Sequence, residues 1–259
     1  MIIKTPQERE YIIQAGKNLG IVLEAIEKMV LPGVSTGAIN AESEKLILEL
    51  GDTPAFKDYT PEGAPFPFPS ALCISVNDEV VHGIPSFDRI LKDGDIVALD
   101  LGLIHNGLVV DSAVTVAVGE VDAKSQVLMK ATAKALEEGI VAARPGNRIG
   151  DISYTIQEAF RGTGCDIVKV LGGHGVGREV HEEPWIANVG FPGTGPEIVA
   201  GMVLALEPIA VLGKQSVRIL KDGYTYVTRD GSRASHHEHT ILIEENETIV
   251  VTRRPSEVV

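Results

Sequence analysis

The sequence predicts an α/β or α+β fold in which two similar halves enclose a largely antiparallel sheet. Three motifs occur twice in the same order, and only the spacing between them differs. A repeat of this length is too long for a solenoid or a propeller, so the halves are expected to pack face to face and form a site between them. The motifs are the breaks Pro32-Gly33 and Pro145-Gly146, the segments 81–85 and 180–184, and the segments 94–100 and 201–207.

The first half begins with two predicted helices. Thr5-Pro6-Gln7-Glu8 is a capping box with proline at the first helical position. An apolar stripe at helical spacing follows it up to the break at Pro32-Gly33 and predicts a helix with a buried face. A second helix is predicted over residues 36–50, and Gly51 ends it.

The second half repeats this order of elements. Helices are predicted over residues 124–143 and 150–161, on either side of the break at Pro145-Gly146. Segments rich in strand-forming residues follow each helix pair, so each half is expected to contain two helices and then strands. We therefore expect a single domain made of two duplicated halves, residues 1–120 and 121–259.

Two aspartates lie in a predicted hairpin. Asn106-Gly107 favours a two-residue type I′ turn between strands over residues 97–103 and 108–118. Such a turn pairs Asp100 with Ala113 and Asp111 with Gly102, which makes the two carboxylates diagonal neighbours within about 8 Å. Their neighbours in sequence are apolar, and a buried unpaired carboxylate is costly. The pair therefore predicts a bound cation rather than two solvated side chains.

Residues 52–72 are predicted to form a loop. The segment contains five prolines and shows neither helix nor strand periodicity. A loop of this length in a compact domain is usually functional or disordered. We expect it to form a wall of the site.

A glycine-rich segment, residues 172–177, contains His174. It lacks the G-x-G-x-x-G spacing, since Arg178 follows it, and no dinucleotide site is predicted. Its small residues would instead let the backbone approach a cation while His174 supplies an imidazole. His181 comes seven residues later and has a counterpart in His82 of the first half, which favours a place for both in the site.

Two glutamates extend the candidate site. Glu207 is the counterpart of Asp100 in the second half and closes the apolar run 202–206. Glu238 lies within His236-His237-Glu238-His239-Thr240. This histidine-rich segment is either part of the site or a solvated strand end.

The candidate metal ligands are four carboxylates and one imidazole. This set suits Mn, Fe or Co better than a structural zinc ion, which prefers Cys and His. Two divalent ions that share bridging carboxylates would balance the four negative charges, and we expect them about 3.5 Å apart. The ligands are Asp100, Asp111, His174, Glu207 and Glu238.

Composition excludes several classes of partner. The formal charge is −13 at pH 7, without the clusters of Lys and Arg that nucleic-acid phosphates require, so no specific nucleic acid is expected. The two cysteines, Cys73 and Cys165, cannot form a disulfide framework, which favours a reducing compartment. No apolar run approaches the roughly 18 residues of a membrane span, and no signal peptide is recognisable. We expect a cytoplasmic protein without membrane contact.

Longer motifs combine the candidate residues. They are Ile3-Lys4-Thr5-Pro6, Cys73-Ile74-Ser75-Val76-Asn77, His82-Gly83-Ile84-Pro85, Asp100 with Asp111, His174-Gly175-Val176-Gly177 with His181-Glu182-Glu183-Pro184, Leu206-Glu207-Pro208 and Glu238-His239-Thr240. With these motifs the sequence resembles the methionine aminopeptidases over nearly its whole length. The resemblance implies the pita-bread fold, which is itself a duplicated half. It also implies a metal-dependent enzyme that removes the N-terminal methionine of nascent proteins and peptides when the second residue is small.

The resemblance also implies a role for each residue. Two divalent ions, Co, Mn or Fe, would bind to the five candidate ligands, with Asp111 and Glu238 bridging. His82 would contact the substrate amide, His181 would stabilise the tetrahedral intermediate, and Glu207 would handle the proton of a water or hydroxide that bridges the metals. The short separation of Glu207 and Glu238 implies type I, which has no helical insertion there. A monomer and a transient ribosome contact are expected.

The methionine pocket departs from this resemblance. Its expected walls are Tyr59, Phe68, Cys73 and Tyr224. The loop between Tyr59 and Phe68 is longer than usual, Tyr224 stands where tryptophan is common, and Val180 stands where phenylalanine is common. Selectivity for methionine over leucine is therefore expected to be looser than in the family.

Two other interpretations remain. Proline-specific peptidases share the fold but usually carry a separate N-terminal domain, and only 81 residues precede His82 here. A binding module that has lost catalysis would lose ligands first, whereas all five ligands and both histidines are present.

Overall fold

The computed structural model describes residues 1–61 and 63–257. Its α-helices form two pairs, one in each predicted half, and except at the end of the first helix their bounds lie within two residues of those predicted. They are α1 (Pro6–Glu27), α2 (Thr36–Glu49), α3 (Ala123–Ala142) and α4 (Ile149–Ala159), and a short 3₁₀ helix spans Pro255–Glu257. In this described part of the chain, no helix combines the length and apolarity needed to cross a membrane.

Helix α1 begins as predicted and ends early. The Thr5 hydroxyl accepts a hydrogen bond from the Glu8 amide at 3.1 Å, and the Glu8 carboxylate accepts one from the Thr5 amide at 3.2 Å. The helix ends at Glu27, before the predicted break at residues 32–33. The Met29 amide donates to the Ile26 carbonyl at 3.0 Å, and this i to i−3 hydrogen bond tightens the last turn.

The strands follow each helix pair. In the first half they are β1 (Thr53–Pro54), β2 (Leu72–Val76), β3 (Glu79–Val81), β4 (Ile96–His105) and β5 (Leu108–Ala117). In the second half they are β6 (Asp166–Ile167), β7 (Gly172–Gly175), β8 (Glu182–Ala187), β9 (Val203–Leu206), β10 (Ile209–Val211), β11 (Val217–Ile219), β12 (Tyr226–Thr228), β13 (Ala234–His236), β14 (Glu238–Ile243) and β15 (Thr248–Val250).

Strands from both halves join in one sheet. Within residues 1–61 and 63–257 this sheet has nine strands in the order β1-β4-β5-β14-β9-β7-β8, with β2 also paired to β4 and β15 to β14. Two three-stranded sheets, β13-β10-β6 and β11-β12-β3, complete the fold. The ladders are antiparallel. The predicted antiparallel α+β architecture is confirmed.

The hairpin of β4 and β5 has the predicted register. Asp100 pairs with Ala113, and Gly102 pairs with Asp111. Asn106 and Gly107 both have positive φ, 49° and 79°, as a type I′ turn requires.

The segment 52–72 is a loop with one exception. Its start forms β1, which pairs Thr53 with Ile104 and Pro54 with Leu103 at the edge of the sheet. A two-residue strand has no periodicity, and Pro54 lacks an amide hydrogen, so sequence reasoning missed it. Tyr59 and Phe68 face each other across the loop, since the Phe68 amide donates to the Tyr59 carbonyl at 2.8 Å.

Most of the apolar core in the described residues lies in two large clusters on the two helix pairs, and a smaller third cluster includes Val80 and Ile209. One contains the buried face of α1 with residues of β2, β4 and β5. The other contains the buried faces of α3 and α4 with residues of β9 and β14. Each helix pair thus buries its apolar stripe against the strands that carry the candidate ligands.

Gly16 of α1 packs closely against the C-terminal segment of the chain. A Cβ at this position would lie less than 3.0 Å from the Val251 carbonyl oxygen, which is backbone and cannot swing away. Alanine is a better helix former than glycine by about 1 kcal/mol, but overpacking costs about 1 to 3 kcal/mol. Because the contacting atom is backbone, the overpacking cost lies in the upper part of that range, and we expect Gly16→Ala to lower the free energy of unfolding in urea by about 1 to 2 kcal/mol.

Exposed Lys17 on the same helix provides the control. Lys17→Ala should change the free energy of unfolding by no more than about 0.5 kcal/mol. A Gly16→Ala variant as stable as the parent would contradict the close contact.

Candidate metal centre and active site

A row of paired strand positions crosses the sheet and contains two of the five predicted ligands, Asp100 and Glu238. Cys73 of β2 pairs with Asp100 of β4, Asp100 pairs with Ala113 of β5, and Ala113 pairs with Glu238 of β14. Directly paired residues point to the same face of a sheet, so the two acids flank a small side chain. Asp111 lies two residues before Ala113 and therefore points to this face too.

Glu207 joins the row where two ladders meet. The ladders of β9 with β14 and of β10 with β13 share one continuous register, as the pairs Leu206 with His239 and Ile209 with His236 show. That register places Glu207 opposite Glu238. Glu207, which directly follows β9, thus faces Glu238, which begins β14.

His174 of β7 is the imidazole beside these acids. It pairs with Ala205, two residues before Glu207. Its Nδ1 lies 2.8 Å from the Gly175 carbonyl oxygen, and because a carbonyl only accepts, Nδ1 carries the hydrogen. The lone pair is therefore on Nε2, which lies 3.8 Å from Oε1 of Glu238. A histidine that binds a metal through Nε2 needs this tautomer.

The carboxyl groups are buried and incompletely paired. Asp100, Asp111 and Glu238 are 7%, 3% and 2% exposed, and each has one buried oxygen without a hydrogen bond in the described chain. Burial and the neighbouring carboxylates raise the pKa of all three groups, that of Asp111 to about 7. Burial also raises the pKa of Glu207, but the adjacent imidazoles outweigh it, so the net shift of that pKa is downward.

Two groups of ligand atoms stand out among residues 1–61 and 63–257. Within each group the atoms lie within 4.8 Å of one another, and the groups are Asp111, His174, Glu238 and Glu207, His236, Glu238. Asp100 belongs to neither group but lines the same cleft. Buried carboxylate oxygens without partners, beside imidazoles, are a donor set that fits divalent cations.

The two repeated histidines differ in setting. His82 follows β3 with a positive φ of 58°, a strained conformation of the kind that clusters at functional sites. His181 is exposed, and its Nδ1 lies 3.3 Å from the Tyr59 hydroxyl. Desolvation lowers the pKa of both imidazoles, that of His181 to about 4. Both are therefore neutral at pH 7.

One cleft brings all the sequence-predicted residues together. Its aromatic wall comes largely from the loop 52–72, as expected, and the ring centroids of Phe68 and Tyr224 are 5.1 Å apart. Sequence reasoning missed Phe56 and Pro61, because nothing local distinguishes them from the loop's other residues. The lining comprises Phe56, Tyr59, Pro61, Phe68, Cys73, His82, Asp100, Asp111, His174, Val180, His181, Glu207, Tyr224 and Glu238.

Comparison with known proteins identifies the family. Residues 10–245 match metallopeptidase family M24. The chain is 42% identical over 252 residues to the methionine aminopeptidase of Clostridium acetobutylicum, which covers 97% of this chain and 98% of that protein. It is 39% identical over 253 residues to methionine aminopeptidase 1 of Bacillus subtilis, which covers 98% of this chain and 99% of that protein. The chain belongs to the methionine aminopeptidases of family M24.

Solved structures agree with this assignment. The methionine aminopeptidase of Thermotoga maritima matches with a TM-score of 0.93 at 42% identity, covering 98% of this chain and 100% of that chain. A prolidase from Pyrococcus horikoshii, of which the match covers 65%, has a TM-score of 0.74 at 22% identity and shows a shared fold only. The predicted pita-bread fold and the resemblance to methionine aminopeptidases are confirmed.

This methionine aminopeptidase has one more histidine at its centre, which sequence reasoning did not single out. His236 is 1% exposed, and its Nε2 lies 2.9 Å from Oε1 of Glu207. The signal was its spacing, since residues two apart in an extended strand share a face and Glu238 follows two positions later. Glu238 and His239 are also buried, so this segment is not a solvated strand end.

The raised pKa of Asp111 predicts how the free energy of unfolding depends on pH when chelators have removed all metal. Unfolded aspartate titrates near pH 4, whereas Asp111 in the fold titrates at about 7. Between these values the folded chain binds more protons than the unfolded chain, so the free energy of unfolding falls as pH rises. Urea unfolding should show a loss of about 2 to 3 kcal/mol from pH 5 to pH 8.

Two controls accompany this measurement. Asp111→Asn should reduce the slope, because the group that releases the proton is gone. Saturating Mn²⁺ should reverse the loss at pH 8, because a cation stabilises the ionised carboxylates. Stability of the chelated protein that rises over this pH range would contradict the burial of these acids.

Proposed function

We propose that the protein hydrolyses the peptide bond after the N-terminal methionine of nascent proteins and peptides. The observation that carries the proposal is one cleft in which two groups of metal-ligating atoms lie beside an aromatic wall. Membership of the methionine aminopeptidases supports the same activity. The acids and imidazoles would act on the scissile bond while the apolar wall binds the methionine side chain.

The family is a metallopeptidase family, and we propose that this member holds two divalent ions, Co, Mn or Fe. The ligands would be Asp100, Asp111, His174, Glu207 and Glu238, with Asp111 and Glu238 bridging. Support comes from Glu238, which both groups of ligand atoms share. When bound, such ions polarise a carbonyl and lower the pKa of a water molecule.

His181 is proposed to stabilise the oxyanion of the tetrahedral intermediate. The Tyr59 hydroxyl, 3.3 Å from its Nδ1, can donate to that nitrogen and so keep the proton on Nε2. A neutral imidazole with Nε2–H lining the cleft is a donor for developing negative charge. His181 would therefore act mainly in the transition state.

His82 and Glu207 are proposed to act on either side of the scissile bond. His82 lines the cleft, and its strained backbone is fixed because Gly83 packs directly against the Ile74 carbonyl. It would contact the substrate amide. The carboxylate of Glu207 has a lowered pKa, so it is ionised at neutral pH and can accept the proton of the attacking water.

The substrate pocket is proposed to have Tyr59, Phe68, Cys73 and Tyr224 as walls. Tyr224 fixes the loop to the body of the protein, because its hydroxyl donates to the Phe66 carbonyl. Val180 lines the same cleft with a side chain smaller than the phenylalanine common in the family. We infer that a second residue must be small and that selectivity for methionine is loose.

The remaining parts of the proposal concern the whole chain. Residues 1–259 would form one catalytic domain of two duplicated halves, 1–120 and 121–259, and the nine-stranded sheet supports this because both halves contribute strands. The stretch between Glu207 and Glu238 contains strands without a helix, as in type I. We also propose that the protein is a monomer and that it contacts the ribosome transiently. A cytoplasmic location is proposed because Cys73 and Cys165 are free thiols, which a reducing compartment favours.

His181→Ala tests the proposed division of roles. Because His181 would act in the transition state, we expect kcat for Met-Ala-Ser to fall by about 100-fold or more. Metal content, measured by atomic emission, should stay unchanged. His105→Gln, which removes a histidine paired to Asp52 elsewhere in the fold, is the control and should keep kcat. Loss of metal from folded His181→Ala would make His181 a ligand instead.

Peptide specificity tests the proposed pocket. Met-Ala-Ser should be cleaved with much higher kcat/KM than Met-Leu-Ser, because the proposed site leaves little room beyond the scissile bond. Leu-Ala-Ser should be only about 10 to 200-fold poorer than Met-Ala-Ser, since apolar pockets discriminate weakly between similar side chains. Val180→Phe should widen that second ratio.

Two outcomes would contradict this specificity. Equal turnover of Met-Leu-Ser and Met-Ala-Ser would refute the rule of a small second residue. Preferential cleavage of Xaa-Pro peptides whatever their first residue would assign the protein to the proline-specific branch of the fold.

A further inference from the structure

His236 is a buried imidazole for which the proposed reaction has no role. Its side chain is 1% exposed, and neither ring nitrogen is aligned for a hydrogen bond to the described chain. A buried polar group without a partner is costly and calls for an explanation. Its nearest charged neighbours are carboxylates, since Nε2 lies 2.9 Å from Oε1 of Glu207 and 3.8 Å from Oε2 of Glu238.

The backbone of His236 is held rigidly. Its amide donates to Oγ1 of Thr115 at 2.9 Å, and the same hydroxyl donates to its carbonyl at 2.7 Å. The ladder of β13 with β10 pairs His236 with Ile209, two residues after Glu207. The backbone therefore holds the imidazole in a fixed position next to Glu207.

The imidazole lies beside the cleft rather than in its wall. Glu207, Glu238 and His174 line the cleft, and His236 does not. Glu207 thus connects His236 to the cleft, since it lines the cleft and lies 2.9 Å from Nε2 of His236. In metal sites, side chains in this position hold a ligand in place, and their loss typically weakens metal binding by about 10 to 100-fold.

We propose that His236 is a positioning residue for Glu207. Nε2 lies 2.9 Å from Oε1 of Glu207, so a small rotation of the ring aligns its N–H with that oxygen. The hydrogen bond would fix the rotation of the carboxylate and leave its other oxygen free for the metal that Glu207 would hold. This inference rests on the proposed function, because it takes Glu207 as a metal ligand. Its effect is on the affinity for the metal and, through the orientation of Glu207, on kcat.

Three variants test the proposal. His236→Ala removes the donor, whereas His236→Gln keeps an N–H that can reach Glu207. His239→Gln is the matched control, because it removes an equally buried imidazole that lies 3.0 Å from Thr252 and away from Glu207. Circular dichroism checks that each variant is folded.

The first readout is calorimetric titration of chelator-treated protein with Co²⁺, which needs no assumption about substrate. His236→Ala should bind Co²⁺ about 10 to 100-fold more weakly than the parent. His236→Gln and His239→Gln should bind as the parent does. With Met-Ala-Ser, His236→Ala should lower kcat at saturating Co²⁺ with little change in KM, and His236→Gln should restore it.

The second readout counts imidazole ligands. In the Co²⁺ protein, each coordinating histidine with a ring N–H gives an exchangeable, hyperfine-shifted proton resonance, and His236→Gln should remove none of them. Loss of one such signal, with Co²⁺ affinity as weak as in His236→Ala, would make His236 a metal ligand and overturn the positioning role. Unchanged Co²⁺ affinity in His236→Ala would also overturn it. Failure of the parent to cleave Met-Ala-Ser while the titrations behave as expected would instead reject the proposed function.

Discussion

Four carboxyl groups share one buried site, and their mutual repulsion is the constraint on which the rest of the structure depends. Asp100, Asp111 and Glu238 have raised pKa values because burial and their neighbours disfavour the ionised form. Such a cluster is stable only with positive charge between its members or with protons on some of them. In a metallopeptidase, bound divalent ions would remove the repulsion between the acids. The free energy released in this way contributes to the affinity for the ions.

The sheet, rather than any loop, keeps these acids together. Asp100 and Asp111 are held by the hairpin of β4 and β5, and Glu207 and Glu238 are held where the ladders of β9 with β14 and β10 with β13 meet. Asp100, Asp111 and Glu238 lie within paired strands, and Glu207 directly follows β9. Repulsion between side chains therefore cannot be relieved by moving the backbone, which leaves protonation or cation binding.

The substrate pocket is built differently from the metal centre. Much of its wall is a proline-rich loop that its own hydrogen bonds and the Tyr224 contact with Phe66 hold against the body of the protein. Most residues of this loop do not pair with the strands that carry the acids, so replacing them does not disturb the positions of the acids. This separation would let residues of the pocket wall change without moving the candidate metal ligands.

The sequence alone determined the four α-helices, the register of the β4–β5 hairpin and the identity of the five candidate ligands, because periodicity, a two-residue turn and an internal repeat can be read from the order of the residues. It did not determine the short strand β1, the early end of α1 or the pocket residues Phe56 and Pro61. The sequence does not distinguish His236 from the neighbouring histidines. Its contact with Glu207 depends on the pairing of β10 with β13. Contacts between residues distant in sequence depend on strand order and packing, which no local pattern encodes.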